Sequence, residues 1–428
     1  MDIIVHPSNL KPTSLRIRGH KHSFVQIVAA SIILEQLCTI KNVPLVEDVF
    51  VLVQIINSLG GKAFIRGHTV HIDPRNIDNY QIDKELMSKI HGTFYLIPAL
   101  ALKFRKFIMY KTGGDQIGSV QYKQERPHQH IEKILKHFDF FDSSKDKNYA
   151  IDIQKFSNQK EFLSGELTSS STKIALLCSL TKQKTTILNP YLKTDVLDLL
   201  SFIKKCGYHV NQKKKSITII QSKQDKDKNV LITLSDCSIE IISYISLALI
   251  NDIPVKLKIG NGSFFKRIAD KEITLLKRMG AKIKICQRSI SVYPKNKALS
   301  PVDIVVLPTA FHSDHHPFFT LLLLFASGIS TLVECVWRDR FGYTDELKKL
   351  SAKIERKDNK ITIFPSVLKP TKQPLNGLDT RASAVLIFAV LTLKYDTLIR
   401  NVDHINRGYN NFWMNLKKMN ANIEILDE

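Results

Sequence analysis

Two short segments near the end of this 428-residue chain carry the residue types that handle anions. They are Leu378-Asp379-Thr380-Arg381-Ala382-Ser383-Ala384 and His404-Ile405-Asn406-Arg407-Gly408-Tyr409. Asp379 and Arg381 fall at the start of an apolar helix, and Arg407 falls in the turn after the next strand. Helix starts collect anions, because free backbone N–H groups and the helix dipole favour negative charge there. Arginine adds planar, two-pronged recognition of carboxylate or phosphate. A small ligand carrying both groups suits the place. A surface ion pair beside an ordinary helix cap is the plain alternative for the same residues.

A recurrent pattern positions these segments. Amphipathic helices end in short turns at Leu59-Gly60-Gly61, His137-Phe138-Asp139, Lys205-Cys206-Gly207, Arg278-Met279-Gly280, Lys349-Leu350-Ser351 and Lys418-Met419-Asn420, and a β-rich stretch follows each. Glycine or asparagine suits a helix end, where φ turns positive. The spacing of roughly 70 residues points to internal repeats. Each unit also holds a more apolar helix: Phe24 to Leu34, Thr172 to Leu180, Glu240 to Ile250, Phe318 to Ala326 and Ala382 to Leu393. Such helices are expected to be buried on most sides. Short strands follow them, as at Cys38 to Ile40 and Thr397 to Arg400. The polar stretch Gln221 to Asn229 reads as a linker between two groups of three units. The strand Asp2 to Val5 is expected to return to the C-terminal half, with a second crossing near Arg16. Two lobes joined twice make a hinge with a cleft.

Composition narrows the class. Hydrophobic content of 44% with 24% charge is that of a soluble globular protein. The net charge of +22, from 62 Lys+Arg against 40 Asp+Glu, favours anionic partners. Part of that excess is compositional, and the runs Lys213 to Lys215 and Lys223 to Lys228 read as solvated surface. Six cysteines are scattered without a CxxC pair, so neither a zinc site nor a disulfide framework is implied, and a reducing cytoplasm fits. No cofactor is implied. The apolar stretch Pro317 to Val333 is interrupted by polar residues and reads as a buried helix leading into a strand, not a membrane span.

Several segments together resemble the enolpyruvyl transferase family, over essentially the whole chain. They are Ile17-Arg18-Gly19-His20-Lys21-His22, the loop Gly113-Gly114-Asp115-Gln116-Ile117-Gly118, Phe311-His312-Ser313-Asp314, Arg340-Phe341, and the two segments near the end. Within the family they lean toward the branch acting on UDP-N-acetylglucosamine, and the shikimate branch fits less well. The resemblance implies an α/β fold, a two-lobed inside-out barrel of six repeated strand–helix units, three per lobe. Residues 1–16 and 230–428 would form one lobe. Residues 17–229 would form the other, with a mobile loop near 111–127 and the active site in the cleft between lobes.

The resemblance also implies the chemistry. The enolpyruvyl group of phosphoenolpyruvate passes to a hydroxyl of UDP-N-acetylglucosamine, by addition and then elimination of phosphate, in peptidoglycan precursor synthesis. By the same resemblance Asp115 is the general acid, and Asp314 the base that also meets the acceptor hydroxyl. Lys21, Arg381 and Arg407 clamp phosphoenolpyruvate, with His91 and Asp379 beside it; Lys21 and Arg407 count also as catalytic. His22, Arg126, Pro127, Thr168, Ser169 and Ser170 face the acceptor. An aspartate at 115 in place of the family's reactive cysteine implies insensitivity to fosfomycin, since a carboxylate is a poor soft nucleophile. Each residue keeps its plain alternative: a turn for Asp115, a helix cap for Asp314, Asp379 and Thr168 to Thr172, a solvated side chain for Lys21.

Departures gather on the acceptor side. His22 stands for an asparagine and His91 for an arginine, with Lys89 available to compensate. The loop after Gly118 is longer, Glu166 sits near a usually basic position and Arg338 near a usually acidic one. A paralogue acting on another nucleotide or sugar nucleotide is therefore the rival reading. A basic nucleic-acid-binding protein is the rival from another class, but the cations are dispersed without an aromatic-interleaved patch.

Overall fold

The computed structural model describes residues 1–110, 113–114, 134–138, 140–142, 149–153, 159–163, 169–222 and 224–426. The chain divides into two compact units, each with its own apolar core. One is built from residues 1–17 and 236–426, the other from described residues between 18 and 235. Among the described residues no helix is long and apolar enough to cross a membrane.

The first unit contains three four-stranded sheets among its described residues. Asp2–Val5 lies antiparallel between Thr397–Arg400 and Ile423–Leu426, with Leu375–Asn376 parallel at the edge. Thr13–Arg16 runs parallel to Val255–Lys258, and Ile304–Val306 parallel to Ser330–Glu334; an antiparallel hairpin completes each sheet. Three apolar helices, Ser238–Ile250, His316–Leu324 and Thr380–Val390, are buried at every position and pack on one another. They have no polar face to offer water, so they form the centre of the unit. The stretch Pro317 to Val333 resolves into the second of these helices and the strand Ser330–Glu334.

The second unit repeats the scheme. Val230–Thr233 runs parallel to Cys38–Lys41 ahead of the hairpin of Lys62–Arg66 and Thr69–Asp73. Gln159–Leu163 runs parallel to Lys184–Leu188 ahead of His209–Lys213 and Ser216–Ile220. A third sheet joins Lys106–Met109, Tyr149–Ile153 and Phe140–Asp142. The helices Lys21–Leu34, Leu96–Phe104 and Ser169–Ser179 pack together in its core.

The helix ends fall where the sequence put them. Gly60, Gly207, Gly280, Ser351 and Asn420 all have positive φ, between 67° and 98°; the sixth junction, at Asp139, lies outside the described residues. The chain passes between units after Ile17 and again after Ser235. The reason is pairing: Val230–Thr233 completes the sheet of Cys38–Lys41, and Leu234 is buried in the same core. The expected linker is also tied down, since Lys226 meets Glu35 at 2.7 Å and Asp227 meets Arg75 at 3.2 Å.

Candidate active site

In the first unit, Asp379 caps the helix Thr380–Val390. Its Oδ1 accepts the N–H groups of Arg381 at 2.7 Å and Ala382 at 2.9 Å. That bond turns the chain so that Arg381 is buried at the helix mouth. The Arg381 guanidinium lies over the Tyr409 ring at 5.2 Å, and its Nε is 3.9 Å from Asp314 Oδ1. Burial works against this charge, but Tyr409, Asp314 and Cys237 more than offset it, and Arg381 holds its proton more tightly than usual. Asp314 Oδ1 takes a 2.8 Å bond from Arg340 Nη2, and the following helix starts at His316 behind His315. Arg340 is itself fixed, donating at 3.2 Å to Ser313, whose hydroxyl donates at 2.7 Å to buried Glu334. Arg407 rides on the short helix His404–Gly408. That helix rests on the same mouth: Thr380 Oγ1 donates to the His404 carbonyl at 3.0 Å, and Gly408 is pressed against Thr380 and Arg381. A side chain at 408 would strike Thr380, so the close approach needs glycine. One carboxylate with two buried guanidiniums, beside a turn bearing a third, suits a compact polyanion and the proton of a nearby hydroxyl.

In the second unit, Lys21 opens the helix Lys21–Leu34 and donates to Asp48 Oδ2 at 2.7 Å. A second, more buried pair joins Lys173 to Asp195 at 2.7 Å. Lys173 also lies 4.9 Å over the Tyr95 ring, and Tyr95 Oη is 3.1 Å from Ser170 Oγ. Burial, then the charges of Lys173, His20 and Lys21, press the His22 imidazole well below its usual range, with Asp195 pulling the other way. His22 is thus held neutral. Burial raises the Asp195 carboxyl, but Lys173 and His20 outweigh it and the net direction is down. His91 starts the turn His91–Tyr95, its ring 4.9 Å from Phe94. Gly114 is pressed on it, since a Cβ there would lie 2.7 Å from the His91 Cβ, and a Cβ on Gly113 would strike the Ser88 carbonyl in the preceding helix. Lys89 pairs with Glu85 at 2.9 Å on an exposed helix face. Ser169 begins the helix Ser169–Ser179, and Thr172 Oγ1 accepts the Tyr191 N–H at 2.9 Å. Asp115, Arg126, Pro127 and Thr168 lie outside the described residues. No group of three or more potential metal ligands occurs among the described residues.

A family model described as EPSP synthase (3-phosphoshikimate 1-carboxyvinyltransferase) matches residues 6–416. The chain belongs to the enolpyruvyl transferase family. This transferase is 28% identical over 436 residues to the UDP-N-acetylglucosamine 1-carboxyvinyltransferase of Wolbachia sp. subsp. Brugia malayi, covering 99% of this chain and 100% of that protein. To the enzyme of the same name from Thermotoga maritima it is 26% identical, over 100% of this chain and 99% of the other. The crystal structure of the enolpyruvyl transferase NikO from Streptomyces tendae has a TM-score of 0.90 and 25% identity, covering 99% of this transferase and 98% of NikO. EPSP synthase from Acinetobacter baumannii shares the α/β fold, at a TM-score of 0.71 and 15% identity over the full length of both chains.

The sequence quoted Arg340 as part of the family resemblance without giving it a role, and it missed Lys173, Asp195 and Tyr95. Arg340 became visible only through its bond to Asp314. A lysine inside the apolar run Thr172 to Leu180 was the one available signal for Lys173, because a buried cation demands a partner.

Proposed function

We propose that this transferase moves the enolpyruvyl group of phosphoenolpyruvate to a hydroxyl of UDP-N-acetylglucosamine, releasing phosphate, as a step in peptidoglycan precursor synthesis. The observation that carries the reading is the Asp314–Arg340–Arg381 cluster beside the turn bearing Arg407. Asp314 takes the proton of the acceptor hydroxyl as its oxygen attacks C2, and Asp115 delivers a proton to C3. The tetrahedral intermediate then expels phosphate and gives up a C3 proton, restoring the double bond. Arg381, Arg407 and Lys21 steady the anion through both steps, with Asp379 fixing Arg381 through the helix cap and His91 near the phosphate. His22, Arg126, Pro127, Thr168, Ser169 and Ser170 serve the acceptor. In this reading the six sheets belong to six strand–helix units, three in each compact unit, and the residues of both units serve one reaction in the cytoplasm.

A second reading, a paralogue acting on another nucleotide or sugar nucleotide, is favoured by the likeness to NikO and by a neutral His22 on the acceptor side. One panel separates the two: phosphate release from phosphoenolpyruvate with UDP-N-acetylglucosamine, UDP, UMP or shikimate 3-phosphate as acceptor. Turnover with the first alone supports the main reading, and turnover with another acceptor alone supports the second. No phosphate release with any of them rejects the transferase proposal for these acceptors.

A further inference from the structure

Glu240 is the third residue of the helix Ser238–Ile250 and is buried. Its Oε1 accepts the backbone N–H of Asn410 at 2.9 Å. Its Oε2 has no hydrogen-bond partner among the described residues. Asn410 directly follows the segment that carries Arg407 and Tyr409, and Tyr409 is the ring beneath Arg381. Asn415 holds the same turn, donating to the Asn410 carbonyl at 3.3 Å and to Tyr244 Oη at 3.1 Å. The Glu240 carboxyl is thus the hydrogen-bond acceptor at the end of the arginine-bearing turn.

We propose that Glu240 is a positioning residue for the anion-binding arginines: as a neutral acid it pins the turn bearing Arg407 beside Arg381, and as a carboxylate it competes with an incoming anion for Arg381. The inference rests on the transferase reading above. A carboxyl with one hydrogen bond in an apolar helix bundle resists ionisation. Burial pushes Glu240 up to about 8, against the pull of the Asn410 N–H and Arg381, and Asp236 adds to the push. The other titratable groups around it are Cys237 and Tyr244 on or beside its own helix, and Tyr409 on the facing turn. All three are pushed upward, with burial the largest cause, so they stay neutral near pH 8. Arg381 is the cation whose charge pulls on this carboxyl. Below pH 8 the acid is neutral and Arg381 is available to a ligand. Above it, a buried negative charge draws on Arg381 and repels the anion.

The test uses the full chain as wild type, Glu240→Gln and Glu240→Ala. Binding of phosphoenolpyruvate is measured by calorimetry between pH 6.5 and 9.5, and the Asn410 backbone amide is followed by NMR over the same range. Glutamine keeps an acceptor for Asn410 and cannot ionise. Wild-type affinity is expected to fall by up to about tenfold per pH unit above pH 8. Glu240→Gln should lack that extra fall and match wild type at pH 7. Glu240→Ala, which loses the acceptor, should bind more weakly throughout. The Asn410 amide should titrate near pH 8 in wild type and not in Glu240→Gln. Parallel loss of affinity in wild type and Glu240→Gln, or an Asn410 amide indifferent to pH, overturns the proposal. Failure of wild type to bind phosphoenolpyruvate at any pH refutes the transferase reading instead, and the amide titration then decides the link between Glu240 and the turn.

Discussion

At the scale of single residues, the assignments divide by what each side chain touches. Arg407 lies at the mouth of the Thr380–Val390 helix, where its loss should remove stabilisation of a developing anion. Arg407→Ala is expected to lower kcat/KM by about 100- to 1,000-fold, checked by steady-state phosphate release. Asp115→Ala should abolish turnover while the far-ultraviolet circular dichroism and melting temperature stay near wild type. Wild-type activity in that variant would reject the general-acid role. The same aspartate should leave the chain untouched by fosfomycin, and an intact-mass increase after drug treatment would count against it. The Asp379 cap was readable from sequence, because capping is a contact between near neighbours. The bonds of Asp314 to Arg340 and of Lys173 to Asp195 span 26 and 22 residues, and no local pattern encodes such partners.

At the scale of elements, local chemistry wrote the helix ends. Positive φ at Gly60, Gly207, Gly280 and Asn420 follows from residue types that tolerate it, and Ser351 adopts the same geometry at φ 67° without that advantage. The cap at Asp379 has a measurable share in the helix it starts. Asp379→Ala is expected to destabilise the protein by about 1 kcal/mol in urea unfolding, whereas Asp379→Asn, which still accepts the Arg381 and Ala382 N–H groups, should cost much less. Residues 221–229 are charged but tied down. Lys226 of this run and Lys103 of the helix Leu96–Phe104 both reach Glu35, at 2.7 and 2.6 Å. They draw the Glu35 carboxyl down to about 2. A depressed carboxyl stabilises the fold above its unfolded value, near 4.5, and that stability is lost as pH falls toward 2. With Glu35 partly in water the effect is modest, about 1 kcal/mol. Glu35→Gln should therefore be less stable than wild type at pH 7 and indistinguishable near pH 2, as read from denaturant midpoints.

At the scale of the whole molecule, the two cores follow from the grouping of predominantly apolar helices, three in each, which cannot face water and so must meet one another. The unit boundary was the part that composition could not locate, since strand pairing, not polarity, decides which unit claims residues 230–235. The strand Asp2–Val5 lies between two strands made about 390 and 420 residues later in the chain. Synthesis runs from the N-terminus, so residues 18–235 can collapse while that first strand still lacks both neighbours. That strand is thus among the last to find its place, an unpaired edge until both of its neighbours have been made. The ion pair between the Met1 amino group and Asp403, at 2.7 Å, joins the two ends of this sheet and so forms only at that closing step.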